Sequence, residues 1–461
     1  MSVALPKVVD YNEPMYSLPP NTQSFQVVCN PISGSSFTPS SQIDIDLGSR
    51  GFMDPKSLMI RYKITTANAA EAYIVGTPVY TPFLRVSTMM NSQTVETINN
   101  YNVVANMLTN LNRDLAQKLG EAYSYGYNAE ALNATTVPTN NEQTDGGVFA
   151  ANGSKSLSAP LICSLSQCEK LVPLNLLNGI RLTFTLDSIV NMFSTISNVG
   201  ATPAYGFTNP ANYTPGAVAV AVSVPGTAGT AVAVPTNYTI SNFEVVYNCI
   251  DFGDEVKNMV ASMDRIRIKS QTWASSVQTL ASGASGQQNL IYNHKFSSVK
   301  SLFLNMGGAN RAISANGNMD SYNVAGATGD YQFICGQQSI PQRVLSCNNN
   351  YGGILQSLRQ AIGSVFDKNN AMSINSVEFG RALSDAVTWP ILPCKFIVGV
   401  STEKIKVPGS FFTGISTEAS PISAIININT PTSQIHNAML IVNADLVYEI
   451  DPQTKQVVVI Q

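Results

Sequence analysis

The residue types that could do chemistry are few and scattered along the chain. Asp251, Phe252 and Gly253 spell the kinase DFG, yet no HRD loop, VAIK lysine or glycine-rich phosphate loop accompanies them, so a chance match at a turn is the better reading. Asp44 and Asp46 could be the carboxylate pair of a jelly-roll glycosidase. They alternate with apolar residues and have no Glu close by in sequence, which favours a solvated strand face instead. His294 and His436 stand apart from any Ser or Cys motif, and GxSxG, GxxxxGK[ST] and GxGxxG are all absent. Seven cysteines, at 29, 163, 168, 249, 335, 347 and 394, are an odd number without a CxxC spacing. With only two histidines beside them they make no metal set. No catalytic residue, metal ligand or cofactor is assigned, and free thiols in a reducing compartment are expected.

The elements around these residues are dominated by period-two alternation, the mark of strands with one wet face. QIDIDLG turns Ile43, Ile45 and Leu47 to one side and Asp44 and Asp46 to the other. SLMIRYKIT does the same with Leu58, Ile60, Tyr62 and Ile64 against Arg61 and Lys63, and so does Ile180 to Leu186. Some two hundred and fifty residues later the order repeats. NLIYNH and SSVKSLFLNM stand where the first two strands stood; Leu302, Phe303 and Leu304 are consecutive, which fits a strand buried on both faces. PISAIININ and NAMLIVNADLVYEID close the second copy, the last matching either Ile180–Asp187 or Asn242–Ile250 of the first. Each copy carries one helical pattern: Tyr101 to Leu119, capped by Asn99 or Asn100 and ended by Gly120, and Gly353 to Phe366.

Two units of short strands with one helix apiece predict an all-β chain of two tandem antiparallel jelly-roll β-sandwiches, each with a helix in an inter-strand loop. The expected divisions are an arm over 1–24, a first sandwich over 25–262 with an insertion at 211–237, and a second over 263–461. A loop rich in Gly, Thr and Asn is expected over 123–158. Within the insertion, Gly216 to Pro235 is low in complexity and fits either a flexible loop or a hairpin of Ala/Val arms. A hairpin there leaves Val218, Val220, Val222, Val232 and Val234 in need of a covering surface. In the arm, Tyr11 and Tyr16 among prolines suit ordering against a neighbouring chain. These seven residues are the candidate contacts between subunits.

Charged residues are 12% of the chain, about half the usual share, and Asn, Ser and Thr fill the deficit. Such a surface can be buried against protein with few ions to desolvate. A net charge of −3 lacks the basic footprint of a nucleic-acid binder. Neither a signal peptide nor an eighteen-residue apolar span is read, which predicts a cytosolic product without a membrane anchor.

The pattern and order resemble the double jelly-roll major capsid proteins of icosahedral DNA viruses. VPLNLLNGIRLTFTLDSI with ISNFEVVYNCIDFGDEV is similar to the end of the first jelly roll in polinton-like viruses and virophages. KFIVGVSTEKI, the stretch from Gly409 to Ser420, and NADLVYEIDPQTKQVVVI are similar to the end of the second. The resemblance implies upright jelly rolls, a homotrimer with six barrels forming a pseudo-hexagonal capsomer, and neighbouring capsomers, penton and minor capsid proteins as partners in a virion shell. The Ala/Val segment aligns with no family element. A lectin- or adhesin-like sandwich is the competing class, disfavoured by the lack of an export signal, and a jelly-roll hydrolase is the third.

Overall fold

The computed structural model describes residues 22–67, 72–74, 76–127, 147–149, 152–194, 198–199, 202–203, 237–308, 329–346, 351–363, 372–374, 379, 395–405, 411–428 and 436–461. Eight principal strands build the first half: β1 (Gln23–Cys29), β2 (Gln42–Leu47), β3 (Met59–Ala67), β4 (Phe83–Met90), β5 (Gln93–Asn99), β6 (Ser154–Pro160), β7 (Ile180–Leu186) and β8 (Asn237–Asp251). Eight more build the second: β9 (Ile266–Leu280), β10 (Gly286–Tyr292), β11 (Val299–Gly308), β12 (Asp330–Cys335), β13 (Gln338–Ser346), β14 (Ile397–Ser401), β15 (Ile422–Ile428) and β16 (His436–Ile450).

Pairing makes the repeat explicit. The first half has sheets ordered β1-β8-β3-β6 and β2-β7-β4-β5, and the second has β9-β16-β11-β14 and β10-β15-β12-β13, all antiparallel. Adding eight to each strand number of the first half gives the second. This is the jelly-roll order, twice in one chain. The match for NAMLIVNADLVYEID is therefore β8, the Asn242–Ile250 alternative, and β15 matches β7. Short strands extend the first sandwich; Phe52–Met53, for example, bridges β8 to Val172–Pro173.

Alternation explains the cores. Ile43, Ile45, Leu47, Ile60, Tyr62, Ile64, Ile180, Leu182, Phe184 and Leu186 are all buried between the sheets of the first half. At their centre Phe83 and Phe243 pack on Phe184, with ring centroids 5.5 and 5.1 Å away. Leu302, Phe303 and Leu304 are buried together because the β11 sheet is covered on both faces. One cover is the helix Tyr351–Ile362, whose Ser357 Oγ donates to Gly399 O of β14 at 2.7 Å.

The helices depart from the sequence reading in detail. Tyr101 to Leu119 is not continuous: α1 (Tyr101–Asn112) stops at the extended Arg113, and α2 (Leu115–Gly120) restarts behind Asp114. Asp114 forms a capping box with Gln117, a stronger local preference than continuing the helix. Asn100, the residue before α1, is left-handed with φ 46° and makes no side-chain cap. The 123–158 loop also contains structure, a helical turn at Ala122–Tyr125 and strand β6. Beyond the first half lies α3 (Asp254–Ala261), and the second half contributes α4 (Tyr351–Ile362). The pattern had extended that last helix to Phe366, but Gly363 ends it with φ +87° and an N–H bonded back to Arg359 O at 3.0 Å. Phe366 itself lies outside the described residues.

Polarity follows from register. Gln23 pairs with Asp251, and Ile266 with Ile450, so the attachment of the arm, the linking α3 and the chain's last strand, β17 (Val457–Ile460), gather at one end. Ala67 pairs with Asn237 at the other end, where the segment before β8 returns. Gln23 and Ser24, assigned to the arm by sequence, are already in β1.

Candidate functional site: the seam between the two sandwiches

The residues that might have done chemistry are dispersed. Asp46 pairs with Arg181 (2.7 Å) and Asp44 accepts from Thr183 (2.8 Å) on the open face of β2 and β7. Asp251 holds Lys257 at 2.9 Å, Phe252 packs edge-on against Phe52, and Gly253 opens α3, so the DFG tripeptide is a turn. His294 shares a 2.7 Å hydrogen bond with Ser276, and burial lowers its pKa. His436 begins β16, the strand that β9 and β11 flank. Cys29, Cys163, Cys168, Cys249 and Cys335 are buried free thiols; burial pushes Cys168 up to about 12 and Cys335 to about 11, which makes them inert. No group of three or more His, Cys, Asp or Glu that could hold a metal occurs among the described residues. Tyr11, Tyr16, Val218, Val220, Val222, Val232 and Val234 lie outside the described residues.

What the structure does bring together is a polar seam where edge strand β5 of the first sandwich meets edge strand β9 of the second. Its centre is Glu96, a buried carboxyl group with no cation beside it among the described residues. Ser164 donates to Oε2 through both N and Oγ at 2.8 Å, Thr272 Oγ1 donates to Oε1 at 2.6 Å, and the Trp273 N–H adds a further bond. Burial raises the Glu96 pKa, and these donors pull in the opposite direction without cancelling it. Tyr448 OH meets Ser164 Oγ, and Ser270 Oγ donates to Ser164 O, so two strands of the second half, β16 and β9, close on one residue of the first.

The seam runs the length of the molecule. Asn91 Nδ2 bonds Lys455 O near the end with the termini; Ser275 Oγ donates to Asn99 O at 2.5 Å; Ser373 Oγ donates to Asn110 O at 3.0 Å toward the other end. Glu96–Thr272 and Asn99–Ser275 have the same sequence separation, 176 residues. Constant separation requires β5 and β9 to run in the same direction. The two sandwiches therefore stand side by side with the same polarity. Beside the seam lies a cavity of about 300 Å³, walled by Leu108, Arg113, Tyr125, Ile162, Trp273 and Phe303, among others. Arg113 fills part of its rim, stacked 4.7 Å over Tyr125 and paired with Glu121.

Sequence reasoning missed Glu96 and its partners. No protein-family profile matches the sequence, and no curated protein matches it. The three-dimensional likeness is extensive. VP54 of PBCV-1, fitted into a reconstruction of the virophage Sputnik, aligns with a TM-score of 0.60 at 10% identity over 97% of this chain and 99% of that one. The Faustovirus major capsid protein aligns at 0.60 and 9% identity over 96% and 92%, and the mavirus major capsid protein at 0.51 and 8% over 100% and 95%. The chain has the double jelly-roll fold of viral major capsid proteins. At such identities the likeness is one of fold, carried by strand order and not by shared side chains. Among the described residues no helix is long and apolar enough to cross a membrane.

Proposed function

We propose that this chain is the structural major capsid protein of an icosahedral virion, acting without catalysis. Three copies associate as a pseudo-hexameric capsomer, and capsomers pack with one another and with penton and minor proteins. The observation that carries the reading is the seam: two jelly rolls of one polarity, joined edge to edge into a single block nearly coextensive with the capsid proteins it resembles. With two barrels of one polarity in each chain, three chains supply the six barrels of a pseudo-hexagonal ring. The charge-poor, Asn- and Thr-rich surface suits extensive burial against copies of itself.

Mass photometry tests this directly. A stable species of about 150 kDa, three times the 49.3 kDa chain, supports it, and a monomer at micromolar concentration contradicts it. Negative-stain images of concentrated protein should show hexagonal particles. Two finer parts of the reading are the arm and the insertion. Deleting residues 1–21 should leave trimers intact and stop shells forming. Replacing 216–235, which carries Val218, Val220, Val222, Val232 and Val234, with a short Gly/Ser loop should weaken the trimer; attachment at the end opposite the arm is consistent with an outward position.

A further inference from the structure

The cavity beside the seam has walls from both halves of the chain: Leu108, Arg113 and Tyr125 from the first, and Trp273, Phe303 and Ile362 from the second. Its floor is a cross-strand row of the β9-β16-β11-β14 sheet, in which Trp273 pairs with Asn443, Asn443 with Ser301 and Ser301 with Ser401. The first three of these line the cavity. Asn443 turns Nδ2 to Gln271 Oε1 at 3.5 Å, and its Oδ1 is buried without a partner among the described residues. Ser401 Oγ, at the end of the same row, is buried without a partner too. Two such polar atoms in one row call for an occupant that hydrogen-bonds.

Three features give that occupant a sign. Asn443 Oδ1 is an acceptor, so it needs a donor. Helix α1 ends at Asn112 and α4 at Ile362, and both residues line the cavity, so two helix C-termini, the negative ends of their dipoles, abut it. The rings of Trp273 and Phe303, with centroids 6.1 Å apart and planes inclined at 38°, add faces that attract a cation. A neighbouring wall already holds one, the Arg113 guanidinium stacked on Tyr125. Glu121 pairs with Arg113, so that charge brings its own counter-ion and does not set the sign of the cavity.

We propose that the cavity binds a small primary alkylammonium ion, the ammonium donating to Asn443 Oδ1 beside the Trp273 ring and the carbon chain lying against the apolar walls. The site belongs to the single chain and does not depend on the capsomer. A volume of about 300 Å³ suits a ligand of this size. Because the walls come from both sandwiches, the bound ion bridges them, and its binding stabilises their joined arrangement by mass action. Water in the same place would satisfy Asn443 but would show no preference for charge.

The test compares butylammonium, butan-1-ol and butyrate, three compounds of similar length and different charge, on the full chain. Isothermal titration calorimetry gives affinity and stoichiometry, and thermal unfolding gives the stabilisation. Butylammonium should bind once per chain, about tenfold or more tighter than either of the others, and should raise the unfolding temperature. Asn443→Asp should tighten that binding and Asn443→Leu should weaken it, each by about tenfold, with circular dichroism unchanged. Equal binding of butan-1-ol would mean that the cavity takes up carbon without regard to charge, and tighter binding of butyrate would mean that Arg113 sets the sign; either overturns the proposal. So does the lack of both heat and thermal shift with millimolar butylammonium. Binding that Asn443→Leu leaves unchanged would place the ion elsewhere and refute the site. Where Asn443→Leu loses its fold, Asn443→Asp decides, since an unaltered affinity there refutes the contact equally.

Discussion

Strands β5 and β13 hold the same place in their sandwiches and meet opposite fates. Both are outer strands, each following a two-residue turn from the strand it pairs with and preceding the helical connection. Val95 and Glu96 in β5 are nevertheless buried, while Gln342, Arg343 and Val344 in β13 are exposed. The strands share a place but not a register: Gln342–Val344 lie in a bulge of β13, and the residue matching Glu96, opposite Phe333 as Glu96 is opposite Thr88, is the half-buried Ile340. Strand β9 covers β5 at Glu96, and among the described residues no strand covers β13. The same holds for β9 against β1. The consequence for the sequence is that a seam strand must carry polar groups able to satisfy a second backbone at close range. Glu96, Thr272 and Ser275 do this, each bonding across the seam.

Glu96→Ala gives the largest effect that this comparison predicts. The substitution leaves Ser164 N, Ser164 Oγ, Thr272 Oγ1 and Trp273 N facing a void, and buried donors without acceptors are costly. A loss of about 3 kcal/mol or more in urea denaturation is expected. Calorimetry should also show the single transition splitting, since the coupling between sandwiches is lost before either core. A change below about 1 kcal/mol would mean the carboxylate is incidental to the seam.

A matched pair of truncations comes next. Val95→Ala removes two methyl groups' worth of buried surface and should cost about 2 kcal/mol. Val344→Ala, at the equivalent exposed strand, should lie within about 0.5 kcal/mol when measured on dissociated chains. Equal costs at the two positions would erase the distinction between covered and bare edges.

The sequence revealed the sandwiches better than the seam, for a physical reason. Burial between two sheets forces alternation, so β2, β3, β7, β15 and β16 announce themselves through Ile43, Ile60, Ile180, Ile422 and Leu440. Burial at a seam imposes no such period. QTVETIN and SQTWASS read as solvated polar segments, because Ser, Thr and Glu bonded to a neighbouring backbone look the same in sequence as Ser, Thr and Glu bonded to water. Strand β6 was hidden by having only Leu157 and Ala159 to turn inward. The break before α2 was legible in principle: Asp114 followed three residues later by Gln117 is a capping-box signal, outvoted by the apolar spacing that continues to Leu119. Gly363 likewise marked the end of α4 for a reader who stopped at the first glycine able to take a left-handed turn.

The smallest effect concerns protons. Glu96 has its pKa raised by burial from an ordinary value of 4.5, so the folded chain holds this proton more tightly than the unfolded chain does. The associated stabilisation is fully present below the unfolded value and is lost as pH rises through the raised folded one. Asp445 in β16 is raised for the same reason and has the same sign, so the total slope cannot be read as one residue's. Glu96→Gln isolates it, since the amide keeps the shape and does not titrate. The stability of wild type relative to that variant should decline with rising pH above about 4.5, by up to about 1.4 kcal/mol for each unit by which the pKa is raised. The variant's baseline will be lower, because its NH₂ faces groups that are themselves donors, but only the slope of the difference matters here. A flat difference from pH 4.5 to 8 would mean that the seam donors have already offset the cost of burying the charge. A rising difference would mean that they exceed it, making the Glu96 carboxylate a net attraction between the sandwiches.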